Sequence, residues 1–329
     1  MSVHPSPGVS GALTPRRHRR LTIAVAALAL FAAGCGSDRT TDTGAESDPA
    51  PTTPSTISSE PFTISAIPDQ DPEQLNRIYG TVANYLTRAT GVKVEYEPVT
   101  DYPASISLFK VGDLDMVWFG GLTGVQARLQ TPGAKAILQR DIDENFHSVF
   151  IVNTATKIEP LADVAALSAL KGRRFTFGSE SSTSGRLMPE FFLNQAGVET
   201  SDFSGQAGFS GSHDKTIELV TAGTFEAGVL NEQVWESRIA EGKVDQTKVK
   251  AVLTSPGYHD YHWIIRPDVA ERYGADFEAR LTKAFTEPDV NDPDVKTIFE
   301  LFKAGKFIPT DNGNYGEIEQ VGRKLGLVT

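Results

Sequence analysis

The sequence predicts an α/β protein of two lobes, each a mostly parallel sheet flanked by helices. Three observations carry that prediction. From residue 61 onward, short apolar strands alternate with amphipathic helices, the pattern of strand-helix-strand units covered on both faces. The alternation runs through two successive sets, parted by an apolar run at 147–153 and rejoined by another at 258–265. Residues 61–329 are also long enough to hold two separate cores of ordinary domain size.

Taken in order, the first strand is expected at 62–67. Pro68, Asp69 and Gln70 break it into a helix start, where Asp71 can cap, Pro72 suits the first turn and Gln74 can answer Asp71 in a capping box. Leu75, Ile78, Val82 and Leu86 follow at helical spacing, and Gly91 ends the helix. Val92, Val94 and Tyr96 alternate with charged residues and give the next strand. A helix at 103–111, a strand at 115–119, a helix at 122–129 and a strand at 134–138 continue the series, and the strand at 147–153 reads as the exit from this lobe. The second set has a strand at 174–177, a helix at 185–196 closed by Gly197, a helix at 213–222 closed by Gly223, and strands at 225–230 and 249–253. The run 258–265 returns to the first lobe, and helices at 269–285 and 295–302 pack on it. Lobe one is therefore expected to comprise 61–150 and 256–329, and lobe two 151–255.

The amino end reads as an address. Arg16, Arg17, Arg19 and Arg20 precede an apolar run, 21–33, which is short of the roughly 20 residues a spanning helix needs. Residues 1–34 are expected to be a signal peptide. Ala32-Ala33-Gly34-Cys35 resembles the lipobox of bacterial lipoproteins, with Ala32 where leucine is usual. That resemblance implies cleavage before Cys35, a diacylglycerol on its sulfur and an extracytoplasmic protein held to the cell membrane by the lipid alone. Cys35 is the only cysteine, so no intramolecular disulfide competes for its thiol. Residues 36–60 are mostly Ser, Thr, Asp, Gly, Ala and Pro, too polar to bury a core. With Cys35 they make an expected flexible tether, 35–60.

The formal net charge is -11, and removing the leader arginines makes the rest more acidic still. Such a surface repels nucleic acid and anionic headgroups. Any anion must be held by local donors in a cleft, where strand ends and helix starts of facing sheets converge. The sharpest local signal is Gly178-Ser179-Glu180-Ser181-Ser182-Thr183-Ser184-Gly185-Arg186-Leu187-Met188-Pro189, a strand end followed by hydroxyls at a helix start. Unpaired amides there, aided by the helix dipole, suit an anion, and Ser182, Thr183 and Ser184 are the first candidates. The same residues also read as plain helix caps. Pro68, Asp69 and Gln70 stand at another helix start, whose amides, and not the Asp69 carboxylate, are candidate donors from the opposite lobe.

Here the sequence resembles the phosphate/phosphite/phosphonate-binding family of transporter components, whose members carry a Ser-Thr-Ser-Gly turn followed by a Pro. Thr100-Asp101-Tyr102, Gly112-Asp113-Leu114-Asp115 before Trp118-Phe119-Gly120, His147-Ser148, and Ser212-His213-Asp214 before a helix all fall in family order. Gly120-Gly121-Leu122-Thr123-Gly124-Val125-Gln126 and Tyr258-His259-Asp260-Tyr261-His262-Trp263 are similar to the branch labelled selenate-binding. The resemblance implies the two-lobed type II fold of periplasmic binding proteins and hinged capture of a small oxyanion, with delivery to an ABC permease driven by its ATPase. No cofactor, metal or nucleic acid is implied, and a monomer is expected. By position Tyr102 would offer a phenol and His147 and His213 ring donors, and a histidine beside a bound anion would be held as a cation, so that binding strengthens at lower pH. Relatives that take aminoalkylphosphonates use carboxylates for the amine. At comparable places this chain has Leu230-Asn231 and Asp260-Tyr261, and the aromatic surroundings of Tyr261 suggest a compact pocket for an inorganic oxyanion or a methyl-type phosphonate.

Two other classes compete with this reading. A metal-binding reading rests on His259 and His262 with Asp260 and His213, but residues three apart on a strand face opposite sides. A hydrolase reading takes Ser182 or Ser184 with His213 and an Asp. The chain has no Gly-x-Ser-x-Gly elbow, His-Glu-x-x-His helix or phosphate loop, and a row of hydroxyls suits a cradle better than one nucleophile.

Overall fold

β1 (Phe62–Ala66) opens a computed structural model that describes residues 58–329, so the leader, Cys35 and most of the tether lie outside the described residues. Both faces of β1 are largely buried, as expected of a strand covered by helices on each side. α1 (Pro72–Thr90) follows, its first turn capped by Asp71 Oδ1, which accepts from the Glu73 and Gln74 amides at 3.0 and 3.1 Å. Gly91 ends it in the left-handed conformation, φ 70°. The reciprocal half of the expected capping box is not made. Gln74 Nε2 donates instead to Gln70 Oε1, and the Asp71 amide donates to Asp214 Oδ2 at 3.0 Å, across 143 residues.

The chain continues through β2 (Val94–Tyr96), α2 (Tyr102–Val111), β3 (Met116–Phe119), α3 (Gly121–Gln130) and β4 (Lys135–Arg140). β5 (Ser148–Asn153) then leads to β6 (Phe175–Phe177), a π-helical turn Thr183–Leu187 running into α4 (Met188–Gln195), and β7 (Gly208–Phe209). α5 (His213–Thr221), β8 (Ala227–Asn231), α6 (Glu232–Ala240) and β9 (Val249–Thr254) follow. β10 (His262–Ile265), α7 (Val269–Tyr273), α8 (Phe277–Thr286), α9 (Pro293–Phe302), β11 (Phe307–Pro309) and α10 (Gly316–Lys324) complete the chain.

The strands form two sheets, ordered β11-β4-β10-β3-β1-β2 and β7-β6-β8-β5-β9. Both are mixed where a mostly parallel sheet was expected. β1 pairs in parallel with β2 and β3, and β6 with β7 and β8. β10 runs antiparallel to β3 and β4, and β5 antiparallel to β8 and β9. The edge strand β11 also runs antiparallel to β4, while β5 and β10 are the strands by which the chain passes from one sheet to the other. Those two arrive without the helical crossover that keeps neighbours parallel.

Other departures have local causes. The expected strand 258–265 is regular only over β10, because Tyr258 makes a single bridge with Phe146 and the next residues turn inward. The expected helix 269–285 is two helices broken at Gly274, φ 100°. α6, β7, β11 and α10 are not among the expected elements. The first sheet packs on an aromatic core in which Trp118, Trp263, Tyr79, Phe302 and Phe307 meet at ring separations of 5.3–6.3 Å.

Candidate functional site

Three turns meet beside the ends of β3 and β6. α3 has no cap from its own residues. Its Gly121 amide donates to Asp260 Oδ1 at 2.8 Å, and its Leu122 amide to Thr183 Oγ1 at 3.0 Å. Thr183 belongs to the turn after β6, in the second sheet, so its hydroxyl ties one sheet's loop to the other's helix start. Glycine at 120 leaves room for the approach, since a Cβ there would stand a tight 3.1 Å from Thr183 Oγ1 and 3.2 Å from Asp260 Oδ1.

The hydroxyl run divides its labour. Ser182 is a helix cap, its Oγ accepting from the Gly185 amide at 2.9 Å, which is the plain reading of that residue. Ser184 Oγ is buried beside the Tyr258 phenol but completes no well-aligned bond. Its carbonyl accepts from Ser148 Oγ at 2.8 Å, and Ser148 in turn bonds the Tyr258 hydroxyl at 2.6 Å. As the first residues of a helical segment, Thr183 and Ser184 have amides with no intrahelical acceptor. π-helical turns recur at functional sites because they re-aim side chains.

Two further buried polar atoms stand unpartnered near this turn, Tyr102 Oη and Asp260 Oδ2, on side chains of which 2% and 1% is exposed. Tyr102 opens α2, next to its cap Asp101. The Ser182 hydroxyl lies beside its phenol without completing a well-aligned bond. Burial, with the nearby Asp69 and Asp260 charges, holds that phenol's pKa well above its usual value. Burial pushes the Asp260 carboxyl up to about 7, against the pull of the Gly121 amide and the Thr183 hydroxyl. Buried polar groups are nearly always bonded, so three unpaired atoms in one neighbourhood mark a place built for something polar.

A second node lies beside the first. The Tyr261 hydroxyl donates to Asp69 Oδ2 at 2.7 Å, accepts from Asn231 Nδ2 at 3.0 Å and lies 3.4 Å from His213 Nε2. The ring of Tyr261 stacks on Trp118, and the Arg140 guanidinium sits 5.2 Å from its centre. Arg140 is itself paired with Asp143 at 2.6 Å and donates to Gln233 and to the Phe302 carbonyl. Asp69, Tyr261, Arg140, Asn231 and Trp118 wall a cavity of about 100 Å³.

Several sequence expectations change here. The Asp69 amide is spent within its own loop, donating to the Ile67 carbonyl at 2.9 Å. The Asp69 carbonyl accepts from the His213 amide, and the carboxylate, pushed up to about 6 by burial, holds Tyr261. His213 is fully buried and its Nδ1 accepts from the Asn231 amide at 3.4 Å. Burial lowers its pKa to about 4, which favours the neutral ring in the ligand-free protein. His147 stands apart, its Nδ1 on the Ser255 carbonyl at 2.8 Å and its Nε2 on Asn145; its neighbour Ser148 is the residue that reaches the cradle. Gln70 faces Gln74 and Arg238.

His213 therefore has no serine against its ring, and His262 is turned to the Asp260 carbonyl at 2.9 Å and stacked on Tyr315. Ser148 and Tyr258 escaped sequence reasoning as site residues, and Asp260 and Asn231 entered it only as the places comparable to the relatives' amine-binding carboxylates. Acids are mostly exposed, and no spacing rule marks the one that is buried.

Residues 64–315 match the family model described as "ABC transporter, phosphonate, periplasmic substrate-binding protein". The chain is 46% identical over 266 residues to the "Probable ABC transporter phosphite binding protein PhnD1" of Prochlorococcus marinus, covering 80% of this chain and 90% of that one. It is 28% identical to the "Phosphate-import protein PhnD" of Mycolicibacterium smegmatis over 73% of this chain and 74% of the other. The solved structure of the Prochlorococcus protein in complex with methylphosphonate superposes with a TM-score of 0.80 at 45% identity, covering 82% of this chain and all of that one.

Proposed function

Since this chain belongs to the family of phosphonate ABC transporter periplasmic substrate-binding proteins, we propose that its buried cradle takes a small phosphorus oxyanion of the methylphosphonate or phosphite type. The chain is a substrate-binding component of an ABC transporter for phosphonate, phosphite or phosphate, and not an enzyme. The observation that carries the proposal is the convergence of three unpartnered buried atoms, Tyr102 Oη, Ser184 Oγ and Asp260 Oδ2, with the amides that open the Thr183–Leu187 turn.

A pocket built from dipoles and hydroxyls holds an anion by direct hydrogen bonds, which strengthen when the acceptor is charged and water is excluded. Net micromolar affinity needs only about 8 kcal/mol. Of the relatives described above, two are named for phosphite and phosphate, and the first of these is solved in complex with methylphosphonate. That puts phosphorus ahead of the selenate branch expected from sequence. The capture we propose is hinged, with lobe one (expected at 61–150 and 256–329) closing on lobe two (expected at 151–255, though β5 of its sheet already starts at Ser148) through Thr183, Asp69 and Tyr261. Lipidation at Cys35 would keep the protein at the outer face of the cell membrane, beside the permease.

The test is a thermal-shift panel of methylphosphonate, phosphite, hypophosphite, phosphate, aminoethylphosphonate, sulfate and selenate. A ligand at one hundred times its dissociation constant stabilises by about 2.7 kcal/mol, which for a chain of this size raises the melting temperature by about 5 °C. Methylphosphonate or phosphite is expected to lead the series. A panel in which only sulfate or selenate shifts the melt would refute the assignment.

A further inference from the structure

Asp260 is an acid inside a cradle for an anion, an arrangement that repels the guest unless a proton lies between them. Its Oδ1 is fixed by the Gly121 amide at 2.8 Å, which leaves Oδ2 aimed without a partner and buried. We propose that Asp260 reads the proton on the ligand: Oδ2 accepts the O–H of an oxyanion that arrives protonated, so the site selects hydrogen phosphonates and hydrogen phosphite over sulfate and selenate. This rests on the phosphorus-oxyanion reading of the site.

The surroundings leave that proton as the remaining way to neutralise the contact. Thr183 offers its hydroxyl to the same carboxylate. Asp143 adds like charge, and Arg140 opposes it while paired to Asp143. From α2 and the 258–261 segment come Tyr102, Tyr258 and Tyr261, and from the carboxy-terminal segment Tyr315, all phenols held protonated by burial. Asp69 faces Tyr261 on the far side, with His213 neutral beside it. His262, whose Nδ1 meets the Asp260 carbonyl, is kept neutral by burial, its pKa lowered to about 3. No cation among the described residues touches Oδ2.

The carboxyl's ordinary charge is already disfavoured by burial, and a phosphorus oxyacid loses its second proton around neutrality, as a phosphate ester does near pH 6. The two groups then share one proton, written either as carboxylate with the ligand monoanion or as carboxylic acid with the dianion. Sulfate and selenate bring no proton at neutral pH, so Asp260 must supply it alone.

The measurement is calorimetric titration of the mature chain with methylphosphonate, sulfate and aminoethylphosphonate from pH 6 to 9, for the wild type and Asp260→Asn. That substitution is isosteric and keeps an acceptor for Gly121. In the wild type, methylphosphonate affinity is expected to fall about tenfold per pH unit above about pH 7, since binding then takes up one proton. Sulfate at pH 7.5 should bind at least 100-fold more weakly. In Asp260→Asn the slope should flatten and the gap to sulfate close by tenfold or more. A wild-type profile with no slope overturns the proposal without any variant, and so does a variant that keeps both slope and gap. If Asp260→Asn weakens only aminoethylphosphonate, the carboxylate is an amine clamp and the proposal is likewise lost. Wild type that binds sulfate but no phosphorus oxyanion removes the underlying assignment itself, an outcome distinct from a phosphonate binder that ignores pH.

Discussion

Tyr102 presents a phenol that costs the free protein stability, because the hydroxyl is buried and makes no hydrogen bond. An unsatisfied buried polar group carries a penalty of about 1–3 kcal/mol, and a hydrogen bond to a charged partner is worth about 1.5–3 kcal/mol. Tyr102→Phe is therefore expected to leave the ligand-free melting temperature unchanged or slightly higher while weakening methylphosphonate binding by tenfold or more. Paired melting and calorimetry would show it, and a variant that loses stability while binding normally would mark Tyr102 as structural. At this scale the hydroxyl run was legible, since hydroxyls between a strand and a helix have few uses. Which hydroxyl does what was not. Ser182 caps, Thr183 bridges to α3 and Ser184 is left open only because the π-helical turn rotates each differently.

Among elements, the contact of α1 with α5 and α6 has the most to say about closure. Asp214 in the first turn of α5 accepts from the Asp71 amide at the start of α1, and from Arg238 of α6 at 2.5 and 2.9 Å. The Arg238 side chain is 4% exposed and that of Asp214 29%. Removing one partner of a buried ion pair costs about 3–5 kcal/mol, and the part-exposed Asp214 brings this to about 1–3. Asp214→Asn should melt several degrees lower and release methylphosphonate faster in stopped-flow displacement; an unchanged off-rate would detach this pair from closure. Burial raises the Asp214 pKa, but Arg238 and the Asp71 amide outweigh it and leave it below 3.8. Its stabilisation is thus present above that pH and lost only as pH falls through the folded value. The sequence offered Gln74 as Asp71's partner because a capping box is local. Asp214 won because the two sheets bring α5 to the same point.

For the whole molecule, burial sets the pH response of the ligand-free protein. Asp69 is raised to about 6 by desolvation, moderated by its bond from Tyr261. A carboxyl with a raised folded pKa contributes stability that is full below its unfolded value, near 3.8, and is lost as pH rises through about 6. His213, lowered to about 4 by burial, runs the other way: its contribution is full above 6.5 and is lost as pH falls through about 4. Asp69→Asn should therefore gain on the wild type by about 2–3 kcal/mol between pH 4 and 6 and hold that gain above. Melts of the ligand-free proteins from pH 4 to 8 would record it, and a constant difference between the two curves would place the cost elsewhere. The wild type is expected to recover stability once a ligand fills the cradle.

By itself the sequence determined the strand and helix alternation, the cap and stop of α1, the acidic surface that forces any anion site inward, and the Ser182–Ser184 stretch. Each of these is written in neighbouring residues, whose spacing and chemistry act over a few ångströms of chain. Only the tertiary structure decided that β5 and β10 run against their neighbours, that Asp214 meets Asp71, that His213 is neutral, and that Asp260 lies buried against the Gly121 amide. Those outcomes join segments tens to hundreds of residues apart. They follow from desolvation and pairing in a folded interior, which no local pattern encodes.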